Sequence, residues 1–353
     1  MIDTSTIARL PKIDLHLHLD GSLRADTVLE LAREQGVALP VWTAGEVRNL
    51  LEVWGKANDL AEYLTKFDLP VRLLQNPAAL TRVASELIED VAAENVRYAE
   101  VRFAPWLHVR RGMRLGQTIR AVLEGMRLGQ ARTGVRSRLI VCCMRHHSPQ
   151  DNLTLAEVAV RHMEAGVGGL DLAGDEALST LATLPVAAFR LAAEQGLHRT
   201  VHAGEGAGPE SIRLAIDVLG AERLGHGVRL REDPALMEEV RCRGIALELC
   251  PTSNIQTSVV AGVSDHPIDA YLRAGIRVTV NTDNRRVSQT SLTNEYGLMV
   301  QHFGWGMPEI VATTRNSLAV AFVPEELRRE LTDEFEREWA GTGATELLRH
   351  AMQ

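Results

Sequence analysis

The sequence lacks several features that mark whole classes of protein. It contains no run of about 18 apolar residues and no basic leader followed by an apolar segment, so we expect neither a membrane span nor a secretory signal. Its formal net charge of −8 leaves no excess of Lys and Arg for a nucleic-acid groove. These absences predict a cytoplasmic protein whose partner is a small molecule rather than a membrane or a nucleic acid.

Cysteine and lysine are also scarce. The four cysteines form no C-x-x-C pair, which indicates reduced thiols without a metal role. No lysine follows Lys66. The later part of the chain therefore cannot supply a lysine for Schiff-base chemistry or, once modified, a lysine that bridges two metal ions.

What the sequence does contain is a repeated alternation of short β-branched or apolar runs with longer segments of helical period, which predicts a parallel sheet with crossover helices. Eight runs are found, the number that closes a (β/α)₈ TIM-type barrel. They are Ile13–Leu19, Val96–Phe103, Arg138–Met144, Gly169–Ala173, Arg199–Ala203, Arg223–His226, Ile245–Cys250 and Ile276–Asn281. No linker divides the chain, so we predict one α/β domain over residues 1–353.

The first connection, about residues 20–95, is far longer than a simple crossover. It contains helical patterns at Ala25–Gln35, Leu60–Phe67 and Ala78–Ala93. A helical insertion after strand 1 would cover the barrel end at which catalytic loops gather.

Histidines and a carboxylate occur where predicted strands end. In the first strand, side chains alternate between faces, so His16, His18 and Asp20 point away from the neighbouring leucines and toward the barrel axis. His202, His226 and Asp283 stand at or just after the ends of strands five, six and eight. Because barrel active sites form at the carboxyl ends of the strands, we expect these side chains to converge.

Three imidazoles and one carboxylate around an open position suit a catalytic Zn²⁺, although Fe²⁺, Co²⁺ and Mn²⁺ accept the same ligands. Glu205 follows His202 by three residues and is the candidate general acid beside such a metal. The alternative interpretation of Glu205 is a glutamate that only stabilises a helix N-terminus.

The motifs HLHLDGS, DLAGDE, VHAGEG, LGHGV, ELCPTSN and NTDN occur in this order along nearly the whole chain, which thereby resembles the adenosine deaminase family. The resemblance implies one zinc ion per chain. Its ligands would be His16, His18, His202 and Asp283, the last also acting in catalysis. Glu205 would protonate purine N1, and His226 would hold and orient the attacking hydroxide.

The resemblance further places His18, Asp20, Gly174 and Asn284 around the substrate. Gly174 would offer its backbone N–H to purine N3, and Asp20 would accept a hydrogen bond from the ribose 5′-hydroxyl. Asn284 stands where many relatives carry Asp, and its amide would donate to purine N7. Because the acidic groups of this cavity would repel a 5′-phosphate, a nucleoside fits better than a nucleotide.

The predicted activity is hydrolysis of adenosine, and of 2′-deoxyadenosine, to the inosine nucleoside and ammonia. Deaminases of adenine and of aminodeoxyfutalosine use similar zinc sites and remain alternatives, although the LDGS motif favours adenosine. A further alternative is a nucleoside-binding module without catalytic activity. The complete ligand set and Glu205 argue against it. The H-x-E and P-C-x-x-C signature of another deaminase class is missing.

Other polar residues have structural interpretations. We expect Glu100, Arg102, Arg145 and Glu248 to form charge pairs inside the barrel. Asp171 and Ser253 would support the metal ligands. A last group, expected to be ordinary hydrogen-bonded histidines, consists of His146, His147, His198 and His266.

Overall fold

The computed structural model describes residues 2–178 and 180–341. In this part of the chain eight parallel strands follow one another in sequence order, which confirms the predicted barrel. The strands are β1 Lys12–His18, β2 Val96–Phe103, β3 Arg136–Met144, β4 Val167–Ala173, β5 His198–Ala203, β6 Arg223–His226, β7 Ala246–Leu249 and β8 Val278–Val280. The prediction of one domain over residues 1–353 extends beyond the described residues and stays a prediction.

The barrel closes between β1 and the segment that follows β8. Leu17 and Asp283 form a parallel bridge. The His18 N–H donates to the Asp283 carbonyl at 2.7 Å, and the Asp283 N–H donates to the His16 carbonyl at 2.8 Å. The Leu15 N–H donates to a side chain, Asn281 Oδ1, at 2.9 Å. The closing contacts thus fix the positions of His16, His18 and Asp283 relative to one another.

The observed strand ends differ from the predicted ones by at most two residues, and both ends of β7 and of β8 lie inside the predicted runs. Ile245 is outside β7 because its N–H still bonds the Val240 carbonyl of the preceding helix. Cys250 already caps the next helix. Ile276 bonds the Tyr271 carbonyl in the same way, so β8 begins two residues later than predicted.

Sixteen α-helices lie in the described residues. They are α1 Thr4–Arg9, α2 Ala25–Glu34, α3 Ala44–Leu51, α4 Leu60–Leu64, α5 Asp68–Leu73, α6 Pro77–Ala92, α7 Leu115–Thr133, α8 Pro149–Val160, α9 Val186–Glu194, α10 Pro209–Arg213, α11 Pro234–Arg243, α12 Pro251–Gln256, α13 Ile268–Arg273, α14 Leu292–Phe303, α15 Met307–Val320 and α16 Glu325–Gly341. None of the described helices is long and apolar enough to cross a bilayer.

The connection from β1 to β2 is helical, as predicted, and contains α2 to α6. Its local sequence explains where helices begin. Asn76 caps α6 through a bond to the Ala79 N–H, and Pro77 occupies the first turn, where no N–H is needed. Thr43 and Glu46 form a capping box at α3, a helix that the apolar pattern alone did not reveal.

The interior of the barrel contains buried ion pairs between residues of different strands. Arg223 pairs with Glu100 and Glu248, and Arg102 pairs with Glu248 and Asp171. The predicted pairing of Glu100, Arg102 and Glu248 is therefore confirmed. Arg145 donates to the His202 carbonyl, and its membership of the charge pairs stays a prediction.

Candidate active site

A cavity of about 340 Å³ lies at the carboxyl ends of the strands. Eight of the nine predicted site residues line it, namely His18, Asp20, Gly174, His202, Glu205, His226, Asp283 and Asn284. His16 is fully buried among them. Residues that are far apart in the sequence thus meet at one end of the barrel.

Two histidines are oriented by buried carboxylates. His16 Nδ1 lies 2.9 Å from Glu248 Oε2, and His202 Nδ1 lies 2.9 Å from Asp171 Oδ2. Because an ionised carboxylate only accepts hydrogen bonds, each ring carries its proton on Nδ1 and presents an unprotonated Nε2 to the cavity. The inward-facing Glu248 therefore orients a histidine in addition to filling the barrel.

The histidines converge on Asp283. Its Oδ1 lies 3.5 Å from His16 Nε2 and 3.4 Å from His18 Nε2. The Nε2 atoms of His18 and His202 are 3.3 Å apart. Ser253 donates to the second oxygen of Asp283 at 2.6 Å, which fixes the carboxylate plane.

This donor set fits a divalent metal ion. His16 Nε2 is buried and has no hydrogen-bond partner among the described residues, as expected of a ligand atom. Ligand atoms of His16, His202, His226 and Asp283 all lie within 4.8 Å of one another. This compact group contains His226, whereas the sequence analysis expected His18 in the ligand set, so five candidate ligands surround the position.

Glu205 stands beside the cluster without belonging to it. Its Oε2 lies 3.5 Å from His226 Nε2, and its Oε1 is 3.3 Å from the Thr257 hydroxyl. The side chain is buried, and burial together with the charges of Asp283 and Glu176 raises its pKa well above the usual range. A carboxyl group whose pKa is raised in this way is suited to general-acid catalysis.

Glu176 is a site residue that the sequence analysis missed. Its carboxylate accepts four backbone N–H groups of the loop that carries Glu205, at distances from 2.8 to 3.3 Å. The donors are Gly204, Glu205, Gly206 and Ala207. Four donors around one buried carboxylate form an anion nest that fixes this loop. The motif DLAGDE contains Glu176, but its spacing gives no indication of the contact.

The predicted substrate contacts lie around the upper cavity. Gly174 has φ of +99°, which a side chain would disfavour. Asp20 Oδ1 and Asn284 Oδ1 are buried without a partner in the described part of the chain. A Cβ at Gly21 would lie 2.0 Å from Asn284 Oδ1, so the glycine of LDGS makes room for this amide.

The helical insertion supplies an apolar wall of the cavity. Leu60, Tyr63, Leu64, Phe67 and Val71 all line it. Leu107, in the turn after β2, and Met144, the last residue of β3, also line the cavity. An apolar slot with polar groups at one end suits a planar aromatic base whose edge is read by hydrogen bonds.

Comparisons with known proteins identify the family to which the chain is similar. A family model described as adenosine deaminase matches residues 11–338. Adenosine deaminase of Clostridium perfringens (strain 13 / Type A) is 41% identical over 325 residues, which covers 92% of this chain and 98% of that protein.

Two solved structures share the fold. Adenine deaminase from Arthrobacter aurescens has a TM-score of 0.84 and 29% identity, covering 94% of this chain and 99% of that one. N6-methyl-AMP deaminase from Arabidopsis thaliana has the same TM-score and identity, with coverages of 95% and 98%. Purine bases and nucleotides are thus both named among the substrates of proteins that are similar to this chain.

Proposed function

Because this chain belongs to the adenosine deaminase family, we propose that it hydrolyses adenosine, and 2′-deoxyadenosine, to the corresponding inosine nucleoside and ammonia. The observation that carries the proposal is the position of Glu205, a buried carboxyl group 3.5 Å from His226 Nε2 and beside a cluster of metal-ligating side chains. Such a site can activate water and protonate a ring nitrogen in the same cavity.

The site residues would have the following roles in the reaction. His16, His18, His202 and Asp283 would hold one Zn²⁺. When bound, zinc lowers the pKa of a coordinated water to about 7, which makes hydroxide available at neutral pH. Glu205 would give its proton to purine N1 while the oxygen adds to C6. The C6–N bond then breaks, the proton of the added hydroxyl passes to the amino group, which leaves as ammonia, and the oxygen remains as the C6 carbonyl. The proton that the water loses on becoming hydroxide would return Glu205 to its protonated form.

The charges in the cavity support a nucleoside substrate. Asp20 is buried along its wall, and a 5′-phosphate would add about two negative charges beside this carboxylate. Asp20 would accept a hydrogen bond from the 5′-hydroxyl. The test is an ultraviolet assay with adenosine, adenine, AMP and aminodeoxyfutalosine. We expect adenosine to have the highest kcat/KM, and a higher value for any other compound would reject the assignment.

Glu205→Gln tests the role of the carboxyl group. We expect kcat to fall by at least about 10²-fold, because an amide cannot supply the proton to N1. The metal content should be unchanged, because Glu205 lies outside the ligand set. Glu210→Gln, the same change at an exposed position of α10, is the matched control. Near-normal turnover by Glu205→Gln would remove Glu205 from the reaction.

A further inference from the structure

A buried hydrogen-bond chain leads from His226 to two residues outside the expected site. Asn254 lies in α12, and His266 lies just before α13. Asn254 Nδ2 is 3.0 Å from His226 Nδ1, and Asn254 Oδ1 is 3.2 Å from His266 Nε2. Both residues are buried, so water cannot replace these contacts without cost.

The direction of the chain is fixed by backbone donors. The Ile268 N–H donates to His266 Nδ1 at 3.2 Å, so this nitrogen is an acceptor. Burial lowers the pKa of His266 to about 3, and the neutral ring must carry its single proton on Nε2. His266 therefore donates to Asn254 Oδ1.

A second backbone donor orients the amide of Asn254. The Cys250 N–H donates to Asn254 Oδ1 at 3.4 Å. If the amide were turned over, its NH₂ group would face two donors, from Cys250 and His266. The oxygen therefore stays on that side, and Nδ2 faces His226.

An amide NH₂ only donates, so His226 Nδ1 must accept and the proton of this ring must be on Nε2. We infer that Asn254 and His266 are positioning residues that hold His226 as the Nε2-protonated tautomer, which makes it a hydrogen-bond donor to the reacting oxygen rather than a metal ligand through Nε2. The inference rests on the proposed function for the identity of that oxygen.

The other histidines of the cluster provide the contrast. His16 and His202 have carboxylates at Nδ1, whereas His226 has an amide donor there. Two rings thus present an unprotonated Nε2, and one presents Nε2–H. The partners at Nδ1 separate metal ligands from a hydrogen-bond donor within a group that distance alone treats as equivalent.

The same amide also reaches the proposed general acid. Asn254 Nδ2 lies 3.5 Å from Glu205 Oε1 as well. Its two hydrogens can therefore contact His226 and Glu205 Oε1 together, which leaves Glu205 Oε2, on the side of His226 Nε2, to carry the transferable proton. One side chain thereby orients both groups that handle protons.

The tautomer can be read directly by long-range ¹H–¹⁵N correlation spectra of zinc-loaded enzyme labelled with ¹⁵N-histidine. A His226→Gln spectrum identifies the signals of His226 by their loss. We expect His226 to show a protonated Nε2 and an unprotonated Nδ1, with the reverse for His16 and His202 as internal controls. An unprotonated Nε2 at His226 would overturn the inference without any need for a variant at Asn254.

Asn254→Asp tests the positioning role, because a carboxylate would accept from Nδ1–H and reverse the tautomer. We expect the His226 signals to exchange character and kcat to fall about 10- to 100-fold, with unchanged zinc content. Asn294→Asp, the same change at an exposed position of α14, should leave the spectra and kcat as in wild type. A reversed tautomer with normal kcat would contradict the positioning role.

Different results would overturn the proposed function and the inferred tautomer of His226. A wild-type enzyme that does not deaminate adenosine but shows the expected tautomer would overturn the proposed function and support the hydrogen-bond chain. A wild-type enzyme that deaminates adenosine with an unprotonated His226 Nε2 would overturn the chain alone.

Discussion

His226 and Asp283 adopt backbone torsions that residues with side chains seldom use, with φ of 64° and 57°. Each such conformation costs on the order of 1–3 kcal/mol. The cost at Asp283 is offset by backbone bonds to His16 and His18 on the neighbouring strand. Both residues stand where a strand ends, and the left-handed turn brings their side chains over the barrel axis. Local strain is thus part of what assembles the cluster.

Asn284 provides a test of base recognition by one residue. If its amide donates to purine N7, Asn284→Leu leaves that acceptor unpaired in a buried site, which costs about 1–3 kcal/mol. We expect kcat/KM for adenosine to fall about 5- to 150-fold. The measurement is steady-state kinetics with adenosine and with 7-deazaadenosine, which lacks the acceptor.

The analogue supplies the control for Asn284. Wild type should process 7-deazaadenosine less well than adenosine, and Asn284→Leu should lose little further activity with it. Equal rates of wild type on both compounds, or an unimpaired Asn284→Leu, would contradict the N7 contact.

The buried His108 makes the free energy of unfolding depend on pH in the acid range. It is buried, and its Nδ1 lies 3.1 Å from the Leu74 carbonyl; burial lowers its pKa to about 4. The unfolded chain binds a proton near pH 6.5, so the free energy of unfolding falls as pH drops from about 6.5 to about 4, by up to about 3 kcal/mol.

Denaturant titrations across this pH range test His108. His108→Gln can still donate to the Leu74 carbonyl but does not titrate, so we expect its stability to fall less between pH 6.5 and 4. His302→Gln, at an exposed position, should follow wild type. Parallel curves for wild type and His108→Gln would show that His108 is not the group involved.

At the scale of elements, the loops after β4 and β5 are joined by one side chain. Glu176 follows Gly174 in the first loop and accepts the backbone N–H groups of the second. The proposed purine contact at Gly174 and the proposed acid at Glu205 are thereby held in one rigid unit. A displacement of either loop would disturb both contacts.

Glu176→Gln removes part of this connection. The amide keeps one acceptor oxygen and turns an NH₂ group toward N–H donors, so several buried donors lose their partner. We expect kcat to fall by about 10²-fold, the cost of a displacement of about 1 Å in an active site. Metal content should be unchanged, because the hydrogen bonds described for Glu176 join it to backbone N–H groups rather than to the candidate ligands.

A double-mutant cycle separates positioning from general loss of stability. If Glu176 acts through Glu205, Glu176→Gln should cost much less kcat in a Glu205→Gln background. Glu210→Gln removes one negative charge near the same loop and should leave kcat near the wild-type value. Additive losses in the double variant would contradict the positioning role.

The sequence predicted what periodicity and strand order determine. Alternation in β1 was sufficient to direct His16 and His18 inward, and the eight runs were sufficient to predict the barrel. Contacts of loop side chains were out of reach, because Glu176, Asn254 and His266 meet their partners only through the turns between elements. His266 is hydrogen-bonded, as predicted, but its sequence context does not identify Asn254 as its partner.

At the scale of the whole molecule, the buried ion pairs inside the barrel connect its strands to the candidate metal ligands. Glu248 accepts from Arg223 at 2.6 Å and from Arg102 at 2.9 Å, and it also orients His16. Buried charges are stable only when they are paired and hydrogen-bonded. The network therefore serves both barrel stability and the orientation of a candidate ligand.

Removal of the metal tests this coupling of the site to the fold. Ligand atoms contributed by β1, β5 and the segment after β8 cannot be brought together in the unfolded chain, so a bound metal stabilises only the folded state. We expect chelation to abolish deamination and to lower the free energy of unfolding. At free metal 100-fold above Kd the loss amounts to about 2.7 kcal/mol. Elemental analysis before chelation should find one zinc per chain, and added zinc should restore both properties.

His302→Gln should respond like wild type, whereas His202→Gln should bind zinc weakly and unfold at the same denaturant concentration with or without chelator. Two metals per chain, or full activity after complete chelation, would contradict a mononuclear site, because the described ligands surround a single position.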